Sequence, residues 1–303
     1  MKKIPVGATI AHAYGFAFRQ APIMFKAIWL PLLAQLALVY LLFQRTALFL
    51  AASQAQDPSA VNLVGPLLLL YPLLLIFFFA QLAAATETAL GRPPQSWISF
   101  HFGKPMWRLL GGFLAALLAI IVIAAIALVL ALLAVVGFNM AVKAPSSGQA
   151  MLVTGLLGIV FGCVLIFVLI RFLFLLAPVN VSKEKLGVGQ AWHLSAGNFW
   201  RILLVALAIL VPVLIVNYAY TFSVTGFPRP PTNTSREAVR AWETAWEIAE
   251  LNGLAGHWYL TLPLFGLLLL FQFGAGCAAQ AFAYRALTEN DASAPVAGNG
   301  LPD

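Results

Sequence analysis

Six predominantly apolar runs, each longer than a bilayer's hydrocarbon core requires, dictate what this chain can become. They cover Met24–Ala52, Val61–Leu90, Pro105–Val142, Gln149–Pro178, Phe199–Thr225 and Gly256–Leu287. A helix of roughly 20 apolar residues crosses the hydrocarbon. Inside that layer water cannot satisfy the backbone, so each run is expected to be helical and to bond its own N–H and C=O groups. Composition points the same way. Apolar residues make up 62% of the chain and charged residues 9%, against about 25% charged in a soluble domain. So little charge cannot coat a soluble surface, which excludes a secreted globule, a disordered chain and an ordinary cytosolic enzyme.

The distribution of lysine and arginine orients the spans. With the N-terminus inside, cytoplasmic segments hold eleven cations and outer segments five, while Arg171 falls within the fourth run. Cationic loops stay on the cytoplasmic side. The expected arrangement is therefore a multi-pass protein of the inner (cytoplasmic) membrane with N- and C-termini both cytoplasmic. The net charge of +7 is spread over these short loops, so it reads as orientation and no nucleic-acid partner is expected. The first run spans 29 residues, well beyond the roughly 7–15 of a signal-peptide core, and is kept as a membrane helix. Cys163 and Cys277 lie inside apolar runs and are expected to behave as small buried hydrophobes.

What precedes each odd-numbered span repeats. Val6–Gln20, Ser96–Phe102 and Val188–Ala196 are short stretches of interfacial character, and each leads to a tryptophan with a basic residue within three positions. These are Trp29 with Lys26, Trp107 with Lys104 and Arg108, and Trp200 with Arg201. Tryptophan and basic side chains both favour the headgroup zone, so Trp29, Trp107, Trp200, Arg108 and Arg201 are expected interfacial anchors. The predicted fold is an all-α membrane protein: six transmembrane helices in three repeats of a cytoplasmic interfacial helix plus two spans. One polytopic domain covers 1–290, with units at about 6–91, 92–180 and 186–289 and a flexible tail at 291–303.

The run Arg171-Phe172-Leu173-Phe174-Leu175-Leu176-Ala177-Pro178 is followed by Glu184, Gly187, Ala191-Trp192, Ser195 and Gly197-Asn198-Phe199-Trp200. This pattern resembles the signature of the glycerophosphoryl diester phosphodiesterase membrane-domain family and related bacterial integral membrane proteins. In that signature an arginine-bearing helix ends in proline, and a short acidic loop and an interfacial helix lead into the next span. Some members carry a soluble phosphodiesterase domain after the membrane part. Here a short Ala/Gly/Pro/Asn tail follows Leu287, so the catalytic module is expected to be absent. The resemblance implies a fold and a membrane rather than an activity.

The residues offer little chemistry of their own. His12, His101, His193 and His257 show no metal-ligand spacing, and no phosphate-binding or nucleophile motif is present. Asp57, Asp291 and Asp303 all lie outside the spans. No enzyme activity, metal or cofactor is expected. Polar groups at membrane depth carry more information, because burial there is costly. Arg171, Gln81 and Gln280 occupy comparable depths near the cytoplasmic ends of spans four, two and six. One reading makes them a polar site for an anionic headgroup or solute, with Arg171 as its cation. The other is structural: Arg171 snorkels or bonds to helix ends, Glu87 is its natural partner, and the glutamines bridge helices.

Gly155, Gly158 and Gly162 suit close helix packing, either within the chain or in a homo-oligomer. In the last outer loop Phe227–Pro231 is stiff and extended. Thr234-Ser235-Arg236-Glu237 then reads as a capping box opening an amphipathic helix at about 235–251. Trp242 and Trp246 share its apolar face. That helix is expected either to lie on the outer leaflet or to cover the outer mouth of the bundle, as a lid or as a plain spacer. The function expected is a non-catalytic membrane protein that organises lipids or partner proteins. The alternative is a transporter or binder of a lipid-like or anionic small molecule near Arg171.

Overall fold

The computed structural model describes residues 2–94, 96–98, 102–142, 147–182, 187–226, 231–232 and 235–288. Among these residues the protein is all-helical and contains no strand. Ten helices run in order: α1 Val6–Arg19, α2 Ala21–Gln54, α3 Ala60–Ala89, α4 Lys104–Ala141, α5 Ser147–Leu173, α6 Leu176–Ser182, α7 Val188–Leu194, α8 Phe199–Thr225, α9 Arg236–Gly256 and α10 Trp258–Thr288. Six helical segments are long and apolar enough to cross a membrane: α2, α3, Lys104–Phe138 of α4, Leu152–Ser182 across α5 and α6, α8 and α10. They fall on the six apolar runs.

The chain divides into two compact units. One holds Met1–Thr9, Trp107–Val205 and Ala279–Asp303; the other holds Ile10–Met106 and Ala206–Ala278. The division falls inside α1, α4, α8 and α10.

In the second unit α2 packs along α3 and also against α9. The buried part of α3 is rich in small residues: Ala80, Ala83, Ala84, Ala85 and Ala89 are all buried. Small side chains let helix backbones approach closely, and dispersion at close range replaces the hydrophobic drive that lipid does not supply. Both helices of this hairpin end in the same way. At the end of α2, Gln56 N–H bonds to Ser53 O and Asp57 N–H to Ala52 O; at the end of α3, Gly91 N–H bonds to Thr88 O and Arg92 N–H to Glu87 O. This paired pattern needs a left-handed residue just past the helix. Gly91 supplies it at φ +83°, whereas Gln56 occupies it at φ +53°.

The first unit is built on α5, α6 and α7, which pack on one another. Leu175, Leu176, Val179, Ala191 and Ile202 form its core together with Ile4, Ala116 and Ala283. Here the fourth span differs from expectation. Helix does not stop at Pro178. It breaks upstream at Phe174–Leu175 and resumes as α6 through Ser182. Proline has no N–H for the carbonyl one turn back, that of Phe174, and its ring crowds that carbonyl. The break therefore lies a turn before the proline, with the chain still helical beyond it.

Three other expectations meet detail. α1 and α7 are helical, but residues 96–98 and 102–103 between α3 and α4 are not, while 99–101 lie outside the described residues. α9 runs on to Gly256, past the expected end at 251. Its N-cap is Ser235, whose hydroxyl accepts from Ala238 N–H at 3.3 Å. That register puts Ala238 where a capping box would need Glu or Gln, so a single-residue cap stands in place of the box. Phe227–Pro230, Thr234 and the tail at 291–303 lie outside the described residues.

Candidate functional site

Arg171 sits on the last turn of α5 and reaches the end of α7. Its Nη2 donates to Trp192 O at 2.8 Å and its Nε to Ser195 Oγ at 3.4 Å. Ser195, fully buried at the C-cap of α7, has its hydroxyl within bonding distance of Arg171 O (3.0 Å) and of Trp192 O (2.9 Å). The guanidinium carbon lies 3.8 Å from the Trp192 ring centroid and 5.5 Å from that of Phe167. The Trp192 ring also meets those of Phe172, 4.6 Å between centroids, and Phe167, 6.3 Å.

The physical logic is that of a helix end. The last carbonyls of α7 have no partner within the helix and carry its negative pole. A planar fork can bond a carbonyl and a hydroxyl while its face lies on an indole, which an ammonium cannot do. The cation thus fastens α7 to α5. Glu87, the partner expected from sequence, stands on α3 in the other unit.

The Gly197-Asn198-Phe199-Trp200-Arg201 segment does a second fastening job. Gly197 turns the chain from α7 into α8 at φ +71°, a conformation glycine adopts without Cβ crowding. Asn198, 2% exposed, then clamps the start of the chain. Its Oδ1 accepts from Ile4 N–H at 3.0 Å and its Nδ2 donates to Lys2 O at 3.1 Å. Arg201 Nη1 donates to Ile4 O at 2.8 Å. Two side chains therefore satisfy the extended backbone ahead of α1, whose Ile4 side chain is fully buried. From sequence Arg201 is an expected interfacial anchor, Asn198 enters only as part of the family-like motif, and Ile4 carries no signal. The available signal was an asparagine and an arginine flanking a helix start, which does not reveal a partner nearly two hundred residues away.

Asn180 on α6 is a third polar group here. It is fully buried, accepts from Gly187 N–H at 2.8 Å through Oδ1, and leaves Nδ2 without a partner. A Cβ on Gly112 would come within 2.1 Å of that Nδ2, so α4 meets α6 through a glycine that nothing larger can replace without a shift.

The two glutamines sit in different settings. Gln81, fully buried on α3, donates Nε2 to Pro31 O at 3.2 Å and to Gln35 Oε1 on α2, and its Oε1 is unpartnered. It bridges helices. Gln280 on α10 also has a buried Oε1 without a partner. Trp29 is half-buried and donates Nε1 to Trp97 O at 2.7 Å, while Lys26 Nζ lies 5.7 Å from the Trp97 ring centroid. Trp107 and Trp200 are exposed, and Arg108 and Arg201 are intermediate. On α9, Trp242 and Trp246 are half-buried. Among the described residues no three of His, Cys, Asp and Glu gather as a metal-sized group.

An apolar concavity lies in the second unit, between α2 and α10. It has a volume of about 620 Å³ and no charged residue in its wall. Phe25, Leu33 and Ala37 line one side; Trp258, Leu262 and Leu267 line the other. Leu36 presses on Gly266, where a Cβ would come within 3.2 Å, so the groove floor is a close helix contact. The chain matches no family model, no curated protein and no solved structure.

Proposed function

We propose that this chain is a non-catalytic protein of the cytoplasmic membrane, with both termini on the cytoplasmic side, that organises lipid. The observation that carries the reading is the apolar groove along α2 and α10. It lies on helices long and apolar enough to be bathed in hydrocarbon, so its complementary ligand is an acyl chain. From Phe25 to Ala37 the wall extends about 18 Å at the helical rise per residue.

The eleven-to-five cation bias supports the orientation. The threefold repeat belongs to the same proposal and rests on Trp29, Trp107 and Trp200. So does membership of the glycerophosphoryl diester phosphodiesterase membrane-domain family, which rests on Arg171–Pro178 and Gly197–Trp200. The alternative of an anionic ligand at Arg171 would need that guanidinium to leave Trp192 and Ser195, to which it bonds. We therefore place lipid at the groove and give Arg171 a structural role. A protein partner or second copy would act on the lipid-loaded protein.

The test is to purify the protein in mild detergent and quantify retained lipid by mass spectrometry. Ala37→Phe, which fills the groove from an exposed position, is expected to lower retention roughly fivefold, near 1 kcal/mol of binding. Equal retention by a variant that unfolds like the wild type would overturn the reading, as would a protein that carries no lipid at all.

A further inference from the structure

We infer that the outward face of α1 is a binding site for a phosphate group, supplied by a phospholipid headgroup or by a soluble phosphate ester. The face carries a bowl of about 310 Å³ lined by Ala11, His12, Gly15, Phe16, Arg19 and Gln20. It goes beyond the groove reading and does not depend on it.

The bowl follows from the sequence of α1. His12, Gly15 and Arg19 recur at three and four residues, which stacks them on one side of the helix. Ala13 and Ala17, buried on the opposite side, hold the helix down together with Tyr14 and Phe18, whose rings pack 5.6 and 5.7 Å from that of Phe271. Gly15 leaves a gap in the exposed face, since a Cβ there would meet nothing within 4 Å. Around the gap stand a guanidinium, an imidazole and a primary amide, with the Phe16 ring beside His12 at 6.5 Å.

The chemistry of these walls selects the ligand. Arginine, histidine and glutamine together offer more N–H donors than a carboxylate's two oxygens can use. A phosphate presents three or four oxygens over a tetrahedron and can engage all three. α1 contains no acidic residue, so the local field favours an anion. Phe18 and Phe25 are 70% and 44% exposed and adjoin Arg19 and Lys26 in the chain. Apolar rings beside cations suit the boundary between headgroups and acyl chains, which favours the lipid source.

Full-length protein in detergent, titrated by native mass spectrometry, tests this with dioleoyl phosphatidic acid, diacylglycerol of the same chains, and glycerol 3-phosphate as competitor. Gly15→Leu fills the bowl without touching a charge and replaces a helical glycine with a better helix former, so folding is preserved. Arg19→Gln removes the main cation. Each variant is expected to weaken phosphatidic acid binding roughly tenfold, Arg19→Gln by loss of a charge-assisted contact and Gly15→Leu by occupying the bowl, with diacylglycerol binding unchanged. Competition by glycerol 3-phosphate would assign the site to phosphate esters generally, and its absence would assign it to the membrane headgroup. Phosphatidic acid binding that survives both substitutions, or diacylglycerol bound equally well by the wild type, would overturn the proposal. Lipid lost from Ala37→Phe but not from Gly15→Leu would do so too, leaving the groove reading standing.

Discussion

α1 and α7 invite the same description from sequence, a short interfacial helix ahead of a tryptophan-marked span, but they are secured with different emphasis. α1 is held mainly by apolar contact: Ala13 and Ala17 are buried, and Tyr14 and Phe18 pack on Phe271, with a hydrogen bond from the Tyr14 hydroxyl to Ala208 O at 2.7 Å. α7 is held by polar contact, with Arg171 and Ser195 on its final carbonyls and Asn198 and Arg201 tying down the N-terminal strand of chain just beyond it. The difference decides which cations are free for work. Arg171 is engaged by its own fold, whereas Arg19 is exposed beside an open bowl. A cation's position along the chain says little about its availability; what secures the neighbouring helix says much more.

The sharpest way to break this contrast is Arg171→Ala. It removes a charge-assisted bond to Trp192 O and a stacked cation, and should cost roughly 2–3 kcal/mol in detergent-phase unfolding. Arg171→Lys should recover less than half of that, because an ammonium cannot bond the carbonyl and the hydroxyl in one plane. Full recovery by lysine would reduce the clamp to a simple charge. For α1 the matching change is Phe271→Ala, expected to cost about 1–2 kcal/mol from lost ring packing and to raise hydrogen exchange across Val6–Arg19 while leaving α7 protected. Loosening of both helices together would erase the distinction.

Gln56→Gly probes a smaller effect. It gives the end of α2 the residue that Gly91 already supplies to α3, and should stabilise by about 1 kcal/mol by relieving left-handed strain. The smallest effect is one of acidity. Ser59's backbone N–H, at 2.8 Å, and its hydroxyl hold the exposed Asp57 carboxyl below its ordinary value of 3.8. A depressed folded-state value stabilises above that ordinary value and is lost as pH falls through the lower one. Thermal melting should therefore be insensitive to Asp57 from pH 7 to 5. Below that, Asp57→Asn should flatten a small acid-side decline seen in the wild type.

Most of the helices could be read before any coordinates. α8 spans Phe199–Thr225, as its apolar run does, and α2, α3 and α4 lie within three residues of theirs at either end. Length and apolarity suffice there because hydrocarbon leaves the backbone no alternative. The fourth span is present but runs on past Pro178 to Ser182, because that proline does not stop the helix. In a membrane helix its effect is felt a turn earlier, and the chain recovers. At Ser235 the run of capping-type residues hid a register choice. The roles of Asn198, Asn180 and Gly112 could not be read at all. Each depends on a partner distant in the chain: Ile4 for Asn198, and each other for Asn180 and Gly112.

Sequence alone determined the number of long apolar spans and their all-helical nature. Each of these follows from transferring one segment into an apolar solvent, a property of that segment by itself. Tertiary structure decided which polar groups are satisfied: that Arg171 closes α7, that Gln81 bridges to α2, and that the face of α1 holding Arg19 remains open. Those outcomes turn on hydrogen bonds and ring contacts only a few ångströms long between residues far apart in the chain. Periodicity carries no record of which distant groups will meet.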